Sequence, residues 1–164
     1  MDKSHAEQYC IQKHLKDDVA TQEVGALIAQ HSNAPLIIHL NGDLGSGKTT
    51  FARGYIQALG QIKNVQVGNV KSPTFSLLET YNFENLHIYH LDLYRLKDPE
   101  ELEYIGIRDL SADEKAICLI EWPQRGGGHV PDADLELSLA HEGDERQVDI
   151  RHKSDLGLAI MRHL

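Results

Sequence analysis

Eight consecutive residues, Gly42-Asp43-Leu44-Gly45-Ser46-Gly47-Lys48-Thr49, match the pattern G-x-x-x-x-G-K-[ST] in full, and Thr50 follows them. The chemistry that such a run performs is phosphate binding. Glycines let successive main-chain N–H groups turn inward around an anion without Cβ clashes. A helix that begins at the lysine points the positive end of its dipole at the same anion. Lys48 places a charge on the β- and γ-phosphates, and the Thr49 hydroxyl is a ligand for Mg²⁺. Residues Asp43 to Thr50 are therefore the expected nucleotide contacts.

A phosphate-loop enzyme also needs a carboxylate at the end of an apolar strand. Ile88-Tyr89-His90-Leu91 leads into Asp92, and Ile117-Cys118-Leu119-Ile120 leads into Glu121. The second run is the more uniformly apolar, so Glu121 is read as the partner of Thr49 in holding the metal. Asp92 is read as the group that orients the attacking water or binds the metal through water. Either carboxylate could instead simply cap a strand end.

Lys71-Ser72-Pro73-Thr74 is a third polar cluster. A hydroxyl there, Ser72 or Thr74, could sense the γ-phosphate as switch loops do, although Ser-Pro-Thr is also an ordinary turn. Trp122 directly follows Glu121. Its type suits a core anchor, and its position suits a contact to the site or to a partner. The ten histidines show no ligand spacing. His87 and His90 fall in a strand and read as surface or core residues, with His90 close enough to Asp92 to feel the site.

The elements that must hold these residues follow from periodicity. A helix is expected over about Val19–His31, with Asp17 or Asp18 as its cap. Leu36–Leu40 reads as a buried strand, and a helix from Lys48 to about Leu59 follows the glycine-rich turn, with Gly60 as C-cap. Phe75–Tyr81 and His87–Asp92 read as strands around a turn at Asn82–Asn85. Asp98-Pro99-Glu100-Glu101 starts a helix with a reach-back glutamate, and Gly106 ends it. Ala116–Glu121 is a further buried strand, and Arg125–Gly128 a flexible loop. Leu135, Leu137 and Leu139, with Val148 and Ile150, alternate as a hairpin near one sheet edge. Ser154 caps a final short helix. This succession predicts a three-layer α/β fold of P-loop NTPase type, with a mixed sheet. One domain over residues 1–164 is expected, with residues 1–8 poorly ordered.

Composition narrows the function further. The chain of 164 residues carries 16 Lys+Arg against 25 Asp+Glu, a net charge of −9. So acidic a surface argues against gripping nucleic acid or anionic membranes unaided. No apolar run approaches the roughly 20 residues that span a bilayer, and the N-terminus lacks a signal-peptide pattern. Cys10 and Cys118 are far apart and lie among apolar residues. They read as buried thiols of a reducing compartment, and hence of a cytoplasmic protein.

Guanine-specific switches carry Asn-Lys-x-Asp and Asp-x-x-Gly segments, which do not occur here. No compact arginine-rich kinase lid is visible, nor is the Ser-Gly-Gly signature of transporter ATPases. Several motifs together do have a known counterpart. They are the loop Gly42–Thr50, Lys71-Ser72-Pro73-Thr74-Phe75, His90-Leu91-Asp92-Leu93-Tyr94-Arg95-Leu96 and Ile120-Glu121-Trp122-Pro123, with Asp98–Glu103 and Gly106–Asp109 between the last two. Over about residues 15–135 the chain resembles the bacterial TsaE (YjeE) family, the ATPase of tRNA threonylcarbamoyladenosine synthesis.

The resemblance implies a small P-loop fold with a parallel core and antiparallel flanking strands, and weak ATP hydrolysis by the isolated protein. It implies Mg²⁺ as cofactor and TsaB and TsaD as partners. Those partners place a threonylcarbamoyl group on the adenosine 3′ of the anticodon, and tRNA is reached only through them. By the same resemblance Lys48 grips phosphate, Thr49 and Glu121 hold Mg²⁺, and Asp92 supports hydrolysis. Ser72 and Thr74 lie in the switch-like loop, and Trp122 belongs to the same strand end. Two departures are Ser46, where the family suggests Ala, and a somewhat longer loop at Gln61–Asn69. The alternatives are a small-molecule kinase and a non-catalytic nucleotide-dependent switch.

Overall fold

The computed structural model describes residues 9–164, so the expectation about residues 1–8 lies outside the described residues. The strands are β1 (Cys10–Leu15), β2 (Leu36–Asn41), β3 (Leu78–Phe83), β4 (Leu86–Asp92), β5 (Ala116–Glu121), β6 (Leu135–Glu142) and β7 (Glu145–His152). The helices are α1 (Asp18–Gln30), α2 (Lys48–Ile62), α3 (Glu101–Tyr104), α4 (Ile107–Ala112) and α5 (Asp155–Met161), with a 3-10 segment at Pro123–His129. All the strands join one sheet in the order β1-β7-β6-β2-β5-β4-β3.

β6, β2, β5 and β4 run parallel to one another, whereas β7 pairs antiparallel with β6 and β1 with β7 on one side, and β3 pairs antiparallel with β4 on the other. This is the parallel core with antiparallel flanks that the family resemblance implies. β2 and β5 lie at the centre, and every residue of β5 is buried. Alternate side chains of these strands serve two apolar cores. Ile38, Leu40, Ile117 and Leu119 pack with Phe51, Tyr55 and Ile28 of α2 and α1. Cys118, Ile120 and Leu91 pack with Leu102 and Ile107 of α3 and α4. Helices thus cover both faces, giving three layers.

α1 fixes where α2 lies. A Cβ on Gly25 would stand 2.5 Å from the Phe51 carbonyl oxygen, so this crossing needs a residue without one. Asp17 caps α1, accepting from the Ala20 amide at 2.8 Å. Ser154 caps α5, accepting from the Gly157 amide at 3.1 Å. Glu101 reaches back to the Asp98 amide at 2.9 Å.

Several expectations are corrected. α2 runs three residues beyond Leu59, because Gly60 serves as a flat surface against Val65 and Val67 and not as a cap. Phe75 is 86 % exposed and precedes β3, while Phe83, expected in a turn, is buried and ends that strand. The 125–128 loop is 3-10 helical for most of its length. Cys10 is exposed, since it opens the edge strand β1; Cys118 is buried as expected. β1, whose apolar content is too low to signal a strand, is the sheet edge beyond the β6–β7 hairpin.

Candidate functional site

The glycine-rich segment leaves β2 at its C-terminal end and enters α2. Gly42, Gly45 and Gly47 have φ of 147°, 74° and 105°, a backbone that side-chain-bearing residues rarely adopt. At Gly42 a Cβ would also lie 2.5 Å from the Leu139 carbonyl oxygen. Gly47 ends the loop, and Lys48 and Thr49 open the helix. The first turn of a helix leaves its N–H groups without intrahelical partners, and here they face the loop.

Lys48 is 4 % exposed. Its Nζ donates to the carbonyls of Gly42 at 2.7 Å and Asp43 at 2.8 Å, and it stands 4.4 Å from the centroid of the Trp122 ring. Burial pushes this ammonium below the usual lysine range, against the pull of the Glu121, Asp92 and Asp43 carboxylates. Trp122 reaches this position because its φ of 56° turns the chain sharply at the end of β5. Its indole also packs against Tyr94, with centroids 5.0 Å apart.

Glu121 and Asp92 end adjacent strands and are 2 % and 4 % exposed. The Thr49 hydroxyl donates to the Glu121 carboxylate, at 2.9 Å from Oε1 and 3.2 Å from Oε2. His90 Nε2 lies 2.8 Å from the same Oε1. Asp92 faces the other loop: its Oδ2 accepts from Ser72 and, at 3.3 Å, from Thr74, while Oδ1 accepts from the Tyr94 amide at 2.9 Å. Ser72 and Thr74 hydroxyls are 3.0 Å apart.

These side chains line one cleft of about 620 Å³. It brings together Leu44, Gly45, Gly47, Lys48, Thr49, Thr50, Ser72, Thr74, Asp92, Glu121 and Trp122. Of the other expected contacts, Ser46 is fully buried beneath the loop, and Asp43 contributes its carbonyl to Lys48. Tyr94, Arg95 and Arg146 complete the lining.

Arg146 was not legible as a site residue, for it lies on β7 with no local motif around it. Its side chain packs over Gly47, with Cδ 3.3 Å from where a Cβ would stand, and pairs with Asp18. His90 carried one usable signal. It occupies an inward position of β4 after Leu86 and Ile88, where an apolar residue would continue the core.

The donor set fits a magnesium nucleotide. Among the described residues, no group of three or more His, Cys, Asp and Glu could hold a metal ion alone. Thr49 and Glu121 offer two hard oxygen ligands side by side. Mg²⁺ commonly takes one or two protein ligands and completes its octahedron with phosphate oxygens and water.

Strand β2, the glycine-rich turn and α2, set in a mixed sheet covered on both faces, define an α/β protein of P-loop NTPase type. The chain belongs to the TsaE family: the model of threonylcarbamoyl adenosine biosynthesis protein TsaE matches residues 15–148. It is 45 % identical over 135 residues to the tRNA threonylcarbamoyladenosine biosynthesis protein TsaE of Haemophilus influenzae, covering 82 % of each chain. The Bacillus subtilis protein of the same name is 33 % identical over 131 residues, or 77 % of this chain and 75 % of that one. The crystal structure of Bacillus subtilis YdiB superposes with a TM-score of 0.77 at 25 % identity, covering 98 % of this chain and 99 % of the other. Among the described residues, no helix is long and apolar enough to cross a membrane.

Proposed function

We propose that this chain is the ATP-binding and ATP-hydrolysing component of the tRNA threonylcarbamoyladenosine modification system. In this reading it works in the cytoplasm with TsaB and TsaD, and it turns over weakly without them. Membership of the TsaE family supports the pathway. The observation that carries the chemistry is the Thr49–Glu121 contact at the foot of the phosphate loop.

The main-chain amides from Gly45 to Thr49 cradle the phosphates, and Lys48 exchanges its two carbonyl partners for phosphate oxygens. Low exposure strengthens that attraction, because little water screens it. Thr49 and Glu121 would hold Mg²⁺, which would supply charge neutralisation for the phosphates. Asp92 stands beside Glu121, where it orients water once Ser72 and Thr74 release it. The net charge of −9 fits a subunit that leaves tRNA to its partners.

The test is phosphate release from ATP, measured for the chain alone and then with TsaB, TsaD and tRNA. The expected result is slow release alone and faster release in the full assembly. Transfer of the phosphate to a small acceptor would identify a kinase. ATP-dependent assembly without release would identify a non-catalytic switch.

A further inference from the structure

His90 is fully buried, and its partner Glu121 is 3 % exposed at the side chain, so water cannot replace the bond between them. Their placement follows from the sheet. His90 is the register partner of Leu119 on β5, and Glu121 is two residues further along on the same face. Because a carboxylate only accepts, His90 Nε2 carries the proton and donates it at 2.8 Å. His90 Nδ1 is buried with no hydrogen-bond partner among the described residues. A core position gains nothing from such an atom, and leucine would fill the wall as Ile88 does. The Nε2 bond is what a histidine adds here.

We infer that His90 is a positioning residue that fixes the Glu121 carboxylate for the metal. The inference rests on the magnesium-nucleotide reading of the cleft. Oε1 receives both His90 and Thr49, whereas Oε2 receives only the longer Thr49 contact. The protein thus holds Oε1 with two donors and Oε2 with the weaker share of one. When the Thr49 hydroxyl turns to a cation, His90 is the donor that still holds the carboxylate in its rotamer. Second-layer hydrogen bonds of this kind change metal affinity by roughly 10–100-fold.

Three full-length variants separate this role from packing. The glutamine amide nitrogen reaches about where histidine Nε2 lies, whereas that of asparagine stops near Nδ1. H90Q therefore keeps the donor, H90N loses it while staying polar, and H90L fills the space without it. Mn²⁺ binding to the ADP-loaded protein is read by electron paramagnetic resonance. ADP binding without metal is read by fluorescence of Trp122, the single tryptophan. Melting curves identify folded variants.

H90N and H90L are expected to weaken Mn²⁺ binding roughly 10–100-fold, H90Q to stay within a few-fold of wild type, and metal-free ADP binding to hold in all three. Equal losses in H90Q and H90N would overturn the role of His90, as would wild-type Mn²⁺ affinity in H90N. If H90L does not fold, the H90Q–H90N pair decides. Failure of wild type itself to bind Mn²⁺ with ADP would instead overturn the underlying site reading.

Discussion

Asp92 and Glu121 are direct register partners across the parallel pair β4–β5, so two buried carboxylates end adjacent strands side by side. They answer to different parts of the chain. Glu121 is held by Thr49 of α2 and His90 of β4, and Asp92 by Ser72 and Thr74 of the loop before β3. The start of α2 and the loop before β3 therefore meet at one pair of residues.

Glu121→Ala removes the acceptor for both Thr49 and His90. Metal-dependent phosphate release by the full assembly is expected to fall about 100-fold or more, since a metal ion contributes several kcal/mol to such a transition state. Each buried donor left unpaired costs about 1–3 kcal/mol. With two such donors, and about 2–4 °C per kcal/mol for a chain of this size, the melting temperature should drop by roughly 4–24 °C, read by calorimetry.

Lys48→Ala should weaken ATP binding about 10–100-fold, the worth of a lost charge-assisted phosphate contact. Lys48→Arg should not restore it. The ammonium sits between two loop carbonyls and the Trp122 ring, and a planar guanidinium does not fit that space. Titration calorimetry checks both variants.

Ser72→Ala combined with Thr74→Val takes both side-chain donors from Asp92 Oδ2. Amides of residues 74–77 are expected to exchange hydrogen faster, while those inside β4 keep their protection. Mass-spectrometric hydrogen exchange on the nucleotide-free protein measures this, and unchanged exchange in 74–77 would refute the tether.

Arg146→Ala removes the guanidinium that packs over Gly47 and lines the cleft. ATP affinity should fall roughly tenfold, as for loss of one charged contact to phosphate. Asp18→Ala, which frees Arg146 from its partner, should change affinity less. Binding isotherms at two salt concentrations separate the two effects.

Burial pushes the Cys118 thiol from 9.0 up to about 12, and the Asp113 charge adds to the rise. Between those values the native state keeps a proton that the unfolded chain loses, so stability falls as pH rises, by up to about 1.4 kcal/mol per pH unit. Burial also raises the Tyr55 phenol above its usual 10, which adds the same sign at higher pH. Cys118→Ala should flatten the decline between pH 9 and 10 in urea melts. A disulfide-exchange reagent at pH 8 should find exposed Cys10 quickly and Cys118 only after denaturation.

What could be read from residue order was local. Gly42 to Thr49 is a contiguous pattern whose chemistry follows from residue type and spacing. The strand before it and the helix after it follow from periodicity within a few turns. Caps such as Asp17 and Ser154 act over three residues and were equally legible. Glu121 and Asp92 could be nominated because each ends an apolar run.

Strand order, which no local period encodes, was decided by tertiary structure. β5 lies between β2 and β4, which sets Glu121 against a threonine 72 positions earlier in the chain. The same order places His90 diagonally across from Glu121 and brings Arg146 of β7 over the loop. β1 was missed because an edge strand is half solvated and needs little apolar content. Short-range patterns arise from backbone geometry, but the meeting of distant strands arises from burying both faces of one sheet, and that is a property of the whole chain.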